Sequence, residues 1–73
     1  MLEKMRRPGQ ALTAREAELL TLLAEGLTNR ELGRRLHISE ATVKTHLAHI
    51  YAKLGVDSRA AAVSIALRRD GIR

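Results

Sequence analysis

Only His37 and Ile38 separate the apolar period that ends at Leu36 from Ser39, a residue suited to open a new helix. Two helices joined by so short a turn, with the small residue Gly33 midway along the first, form a helix-turn-helix arrangement. The remainder of the chain agrees with this. From Thr13 onward it reads as four helical segments, each opened by a cap, and strand-like alternation is absent. The expected fold is all-α, a four-helix bundle containing the helix-turn-helix.

Thr13-Ala14-Arg15-Glu16 is a capping box, in which the Thr hydroxyl and the Glu carboxylate satisfy free amides at a helix start. Leu19, Leu20, Leu23, Ala24 and Leu27 follow at helical spacing, and Gly26 supplies the stop. Thr28-Asn29-Arg30-Glu31 repeats the box and opens a short helix with Leu32 and Leu36 one turn apart. Gly33 costs that helix about 1 kcal/mol relative to Ala, so its expected use is to admit the close approach of another helix. After Ser39, the residues Val43, Leu47, Ile50 and Leu54 form one narrow apolar stripe, closed by Gly55. Ser58 caps the last helix, expected to run over 59–69. Residues 1–11, with Pro8-Gly9 and no apolar period, read as a tail or linker, and residues 12–73 as one domain.

With 73 residues and no Cys, the chain has neither disulfides nor thiolate zinc sites nor a Cys nucleophile. A water-excluding catalytic cleft is hard to build at this size, and no Ser, His and carboxylate cluster can be argued; an enzyme is not expected. His46 and His49 have a ligating i, i+3 spacing but no third ligand in evident reach, so neither a metal nor another cofactor is expected. No apolar run approaches the roughly 18 residues of a membrane span. The N-terminus also lacks the apolar stretch of a signal peptide. A cytoplasmic protein with no small-molecule ligand is the expectation. Tyr51 is the single aromatic residue, which argues against a single-strand or RNA binder built on stacking.

The net charge of +5 is unevenly placed. Residues 1–27 balance four basic side chains against four acidic ones, whereas 28–73 hold nine basic against four acidic. A polyanion is the natural partner of the second stretch. On the third helix, about 100° per residue sets Ala41, Thr45, Ala48 and Ala52 opposite the apolar stripe. Lys44 lies on one shoulder of this strip and Thr42, His49 and Lys53 on the other. Such a low face fits a major groove about 12 Å wide; equally, Ala and Thr fill an exposed face because they tolerate solvent. On the first reading the helix over about 40–54 is a recognition helix, within a helix-turn-helix over about 28–47. Lys44 and Thr45 are the first candidates for base contact, Ala48 and His49 the second. Thr42, Lys53, Asn29 and Arg30 are placed for phosphate. His46, beside the apolar stripe, fits either a boundary histidine or a backbone contact.

The fourth helix has apolar residues in two directions. Ala60, Val63, Ala66 and Leu67 suit the domain's own core, and Ala61 and Ile65 point roughly the other way, near Arg68. Surface apolar residues are ordinary. The alternative is a two-fold contact with a second copy through Ala61, Ile65 and Arg68, placing two recognition helices on half-sites about 10 base pairs apart.

Leu12-Thr13-Ala14-Arg15-Glu16, Gly26-Leu27-Thr28-Asn29-Arg30-Glu31-Leu32, Ile38 to His46 and Lys53-Leu54-Gly55-Val56 together closely resemble the LuxR-type DNA-binding domain, found also in NarL/FixJ response regulators and in GerE. The resemblance covers about residues 12–69. It implies a four-helix domain that binds duplex DNA, commonly as a dimer through the fourth helix, and regulates transcription, with RNA polymerase as a further partner. Carried over residue by residue, it places base contacts at Lys44, Thr45 and Ala48, with Ala41 and His49 less regular. Backbone contacts fall at Thr42, Lys53 and near Asn29 and Arg30. Two positions depart from the pattern. Gly33 stands where Ala is common, a change expected to loosen the second helix, and Ala48 where a longer polar side chain is frequent, which limits readout there to a methyl contact. No sensory portion accompanies the domain, so a stand-alone regulator and the output domain of a larger one are both compatible.

Two other readings compete with this one. A sigma-factor region 4 fragment shares the Leu-Thr-x-Arg-Glu opening but not the Thr42-Val43-Lys44-Thr45-His46 pattern. A protein interaction module using the fourth helix, with DNA binding lost or weak, is the alternative from a different class.

Overall fold

The computed structural model describes residues 11–71, so residues 1–10 of the expected tail lie outside the described part. Four helices make up the described chain: α1 (Ala14–Ala24), α2 (Asn29–Leu36), α3 (Glu40–Leu54) and α4 (Arg59–Gly71). No strand occurs among the described residues. The all-α expectation is met.

Local chemistry sets each start. Thr13 Oγ1 accepts from the Glu16 amide at 3.1 Å while Glu16 Oε1 accepts from the Thr13 amide at 2.9 Å. Thr28 and Glu31 repeat the exchange at 3.1 and 2.8 Å. Ser39 Oγ accepts from the Thr42 amide, and Ser58 Oγ from the Ala61 amide, each at 3.1 Å. Caps of this kind contribute about 1 kcal/mol apiece and decide where the chain enters a helix.

The ends differ. α3 stops on Gly55 in the left-handed region at φ 74°, whereas α2 stops on His37 at φ 62°, ψ 44°. A side chain rarely adopts that conformation, and here it reverses the chain fast enough for Ile38 to donate its amide to the Gly33 carbonyl at 2.9 Å. Gly33 answers the turn rather than a helix. A Cβ at this position would lie 2.6 Å from the Ile38 carbonyl oxygen. The expected close approach is therefore real, but the neighbour is the backbone of the turn. The absent methyl lets the turn fold tightly onto α2.

α1 packs mainly on α4, and α2 on α3, with α1 also touching both helices of the second pair. Leu19, Leu23, Leu32, Val43 and Ile50 are the largest fully buried side chains and mark the meeting of the two pairs. Each contributes about 1.5–3 kcal/mol relative to exposure. Leu22, outside the expected stripe, is buried too, because α1 has neighbours on more than one side.

α4 is rotated relative to expectation. Its core face is Ala62 and Ala66, at 0% and 3% exposure, while Leu67 is 57% exposed and Ala60 lies on the surface. Val63 is half-buried against the core. Ala60 and Leu67 therefore do not belong to the core face. The reason is steric: α1 already presents four buried leucines, and two alanines let α4 sit close against them where a leucine would hold it away.

Candidate nucleic-acid interface

α3 begins immediately after the turn and buries Val43, Leu47 and Ile50, with Leu54 half-buried. The opposite strip faces solvent: Ala41, Lys44, Thr45, Ala48 and His49 are exposed, as is Thr42. His46 is half-buried at the edge of the stripe, in keeping with a boundary position. Lys44 carries no ion pair among the described residues, so its charge is available to a ligand.

Hydrogen bonds settle what the hydroxyls on this strip can offer. Thr45 Oγ1 donates to the Ala41 carbonyl at 3.2 Å, which engages its hydrogen and leaves the methyl as its distinctive outward feature. Ser39 Oγ donates to Thr42 Oγ1 at 3.0 Å, so the Thr42 hydroxyl hydrogen is free to be donated outward. Its position in the first turn of α3 suits an anion.

At the start of α2, Arg30 is exposed and Asn29 half-buried. The Glu31 carboxylate turns back onto the Thr28 amide, and that bond holds its pKa below the usual carboxylate value. The Asn29 and Arg30 amides occupy the first two helical positions, where α-helices leave N–H groups without an internal partner.

Lys53, expected at a phosphate, is paired within the domain. Its ammonium lies 2.6 Å from Glu16 Oε1, in a pair whose side chains are 18% and 7% exposed. Burial alone pushes the Glu16 carboxyl up, but the Lys53 ammonium and the Thr13 amide outweigh it and hold the carboxyl below its ordinary value. One carboxylate thus closes the α1 cap and anchors the end of α3. A second long tie comes from Arg59, whose Nη1 donates to Asn29 Oδ1 at 3.1 Å and whose Nη2 donates to the Leu27 carbonyl. Arg15 adds a long hydrogen bond to the Leu36 carbonyl at the end of α2. These three bridges span 37, 30 and 21 residues and carry no local sequence signal.

On α4, Arg59, Ala60, Val63, Ser64 and Leu67 line a shallow, largely apolar surface groove. Arg68 is exposed, and Ala61 and Ile65 are half-buried. No cluster of three potential metal ligands occurs among the described residues. No described helix is long and apolar enough to cross a membrane.

Four packed helices with a short αL turn between α2 and α3, and a solvent-facing strip on α3 that carries Lys44, define a helix-turn-helix DNA-binding domain. The family description "Bacterial regulatory proteins, luxR family" (GerE) matches residues 10–66, and the chain belongs to that family. It is 49% identical over 61 residues to the transcriptional regulatory protein LiaR of Bacillus subtilis, covering 84% of this chain and 29% of LiaR. Identity to the transcriptional regulatory protein DegU of Brevibacillus brevis is 40% over 68 residues, or 93% of this chain and 29% of DegU. The crystal structure of the response regulator ChrA, from a heme-sensing two-component system, aligns with a TM-score of 0.76 at 54% identity, over 99% of this chain and 35% of ChrA. The chain thus spans about a third or less of these relatives, and 7% of a Mycobacterium tuberculosis regulator to which it is 48% identical. It is a DNA-binding module of transcription regulation.

Proposed function

We propose that the domain reads duplex DNA by inserting α3 in the major groove, as a homodimer paired through α4. The observation that carries this is the outer strip of α3, where Lys44 stands exposed beside the Thr45 methyl, Ala48 and His49. These four form the base-reading set: the ammonium donates to guanine, and the methyl-bearing residues suit the thymine C5-methyl. Asn29, Arg30, Thr42 and His46 hold the backbone. We assign Lys53 to architecture instead, because Glu16 engages its ammonium. The pairing surface is centred on Ala60, Val63 and Leu67; Ala61 and Ile65, the contact expected from the sequence together with Arg68, point roughly away from it and are half-buried.

The module acts by binding and not by catalysis, in the cytoplasm, with DNA and RNA polymerase as its partners. A reading from a different class, a protein interaction module using α4, is favoured by one observation only, the exposure of Leu67.

The test is a salt series on a duplex that the protein itself selects from a random library. Affinity falls steeply with salt in proportion to the phosphates contacted. Lys44→Ala weakens binding by about 1–3 kcal/mol and relaxes preference at one base position. Lys53→Met leaves the salt slope unchanged. Enrichment of no sequence, or unaltered preference in Lys44→Ala, refutes groove reading by α3.

A further inference from the structure

We propose that Arg59 is a positioning residue for DNA binding: it fixes the Asn29 carboxamide so that its NH2 group, and not its oxygen, is offered to a backbone phosphate. The inference rests on the DNA-binding reading above and adds a residue that makes no DNA contact itself.

A carboxamide has an acceptor end and a donor end, and rotation by 180° exchanges them. At the start of a helix the choice matters. The donor end reinforces the free amides and the helix dipole in attracting a phosphate, whereas the acceptor end opposes them. Asn29 is the first residue of α2 and half-buried. Arg59 Nη1 lies 3.1 Å from its Oδ1. A guanidinium has only donors, so the atom facing it must be the amide oxygen, and the nitrogen with its two hydrogens occupies the other side.

The guanidinium is itself fixed. Its second nitrogen donates to the Leu27 carbonyl, on the segment that enters α2. It also starts from the first residue of α4, one position after the Ser58 cap has set the helix direction. One planar fork thus holds both the backbone that leads into α2 and the side chain at its first position. Lysine, with a single nitrogen, cannot reproduce both contacts in one plane.

The experiment uses the library-selected duplex with phosphates replaced one at a time by neutral methylphosphonates. For the wild-type protein, one replacement opposite the start of α2 lowers affinity about tenfold, as expected for a hydrogen bond to a charged group. Asn29→Asp retains an acceptor for Arg59 and deletes the donor. It binds the unmodified duplex at least tenfold more weakly and loses its sensitivity to that one replacement. Arg59→Lys and Arg59→Ala lose the same sensitivity while penalties at all other phosphates persist. A general loss of stability would scale every penalty alike, so circular dichroism and the uniformity of the effect separate the two causes. Wild-type affinity in Asn29→Asp, or a surviving penalty at that phosphate in the folded Arg59 variants, overturns the proposal and leaves DNA binding standing. Failure to enrich any duplex overturns the DNA-binding reading and this inference with it.

Discussion

At Glu16 one carboxylate accepts from the Thr13 amide at the start of α1 and from Lys53 in the last turn of α3. Because its pKa is lowered in the folded protein, this contribution to stability is fully present above the unfolded carboxylate value near 4.5 and is lost as pH falls through the folded value. We predict that Glu16→Gln, which can still close the cap, loses about 1.5 kcal/mol at neutral pH in urea unfolding. The difference from wild type should shrink below the unfolded value, as Glu16 itself becomes protonated; a constant difference down to pH 3 would exclude the ion pair as its source. His37 offers the opposite case, a side chain in backbone territory that favours glycine. His37→Gly should raise stability by about 0.5–1 kcal/mol, measured as an increase in Tm with DNA recognition retained. A decrease would mean that the imidazole makes a contribution larger than the strain.

Helices were the level at which the sequence was most readable. Caps at Thr13, Thr28, Ser39 and Ser58 act locally, so the residues that make them lie within three positions of one another and announce themselves. The rotation of α4 was not legible, because hydropathy ranks Leu67 above Ala62 while close packing against α1 ranks them the other way. The site shows the same division. Lys44 and Thr45 follow from the position of a stripe, but the engagement of Lys53 and Arg59 depends on which helix lies across from them. The exposure of Leu67 gives the proposed pairing its test. Leu67→Glu should leave the monomer folded, since Leu67 is mostly in solvent, and abolish cooperative occupancy of paired half-sites in a footprinting titration. Preserved cooperativity would assign pairing to another surface.

The described domain is two helix pairs that share a buried core and are tied by a few long side chains, and the turn within the α2–α3 pair is closely packed. At Gly33 the turn carbonyl already occupies the place of a methyl group, and Ile38 is hydrogen-bonded back to Gly33 itself. If α3 reads the groove as proposed, α2 and α3 dock as a single wedge whose angle is set by this turn. When an operator's groove does not match that wedge, accommodation has to come from the duplex. Two half-sites with identical contacted bases should then differ in affinity according to how readily the base steps between them bend or twist. On that proposal a feature that holds no nucleotide gives spacer stiffness a share in the choice of operator.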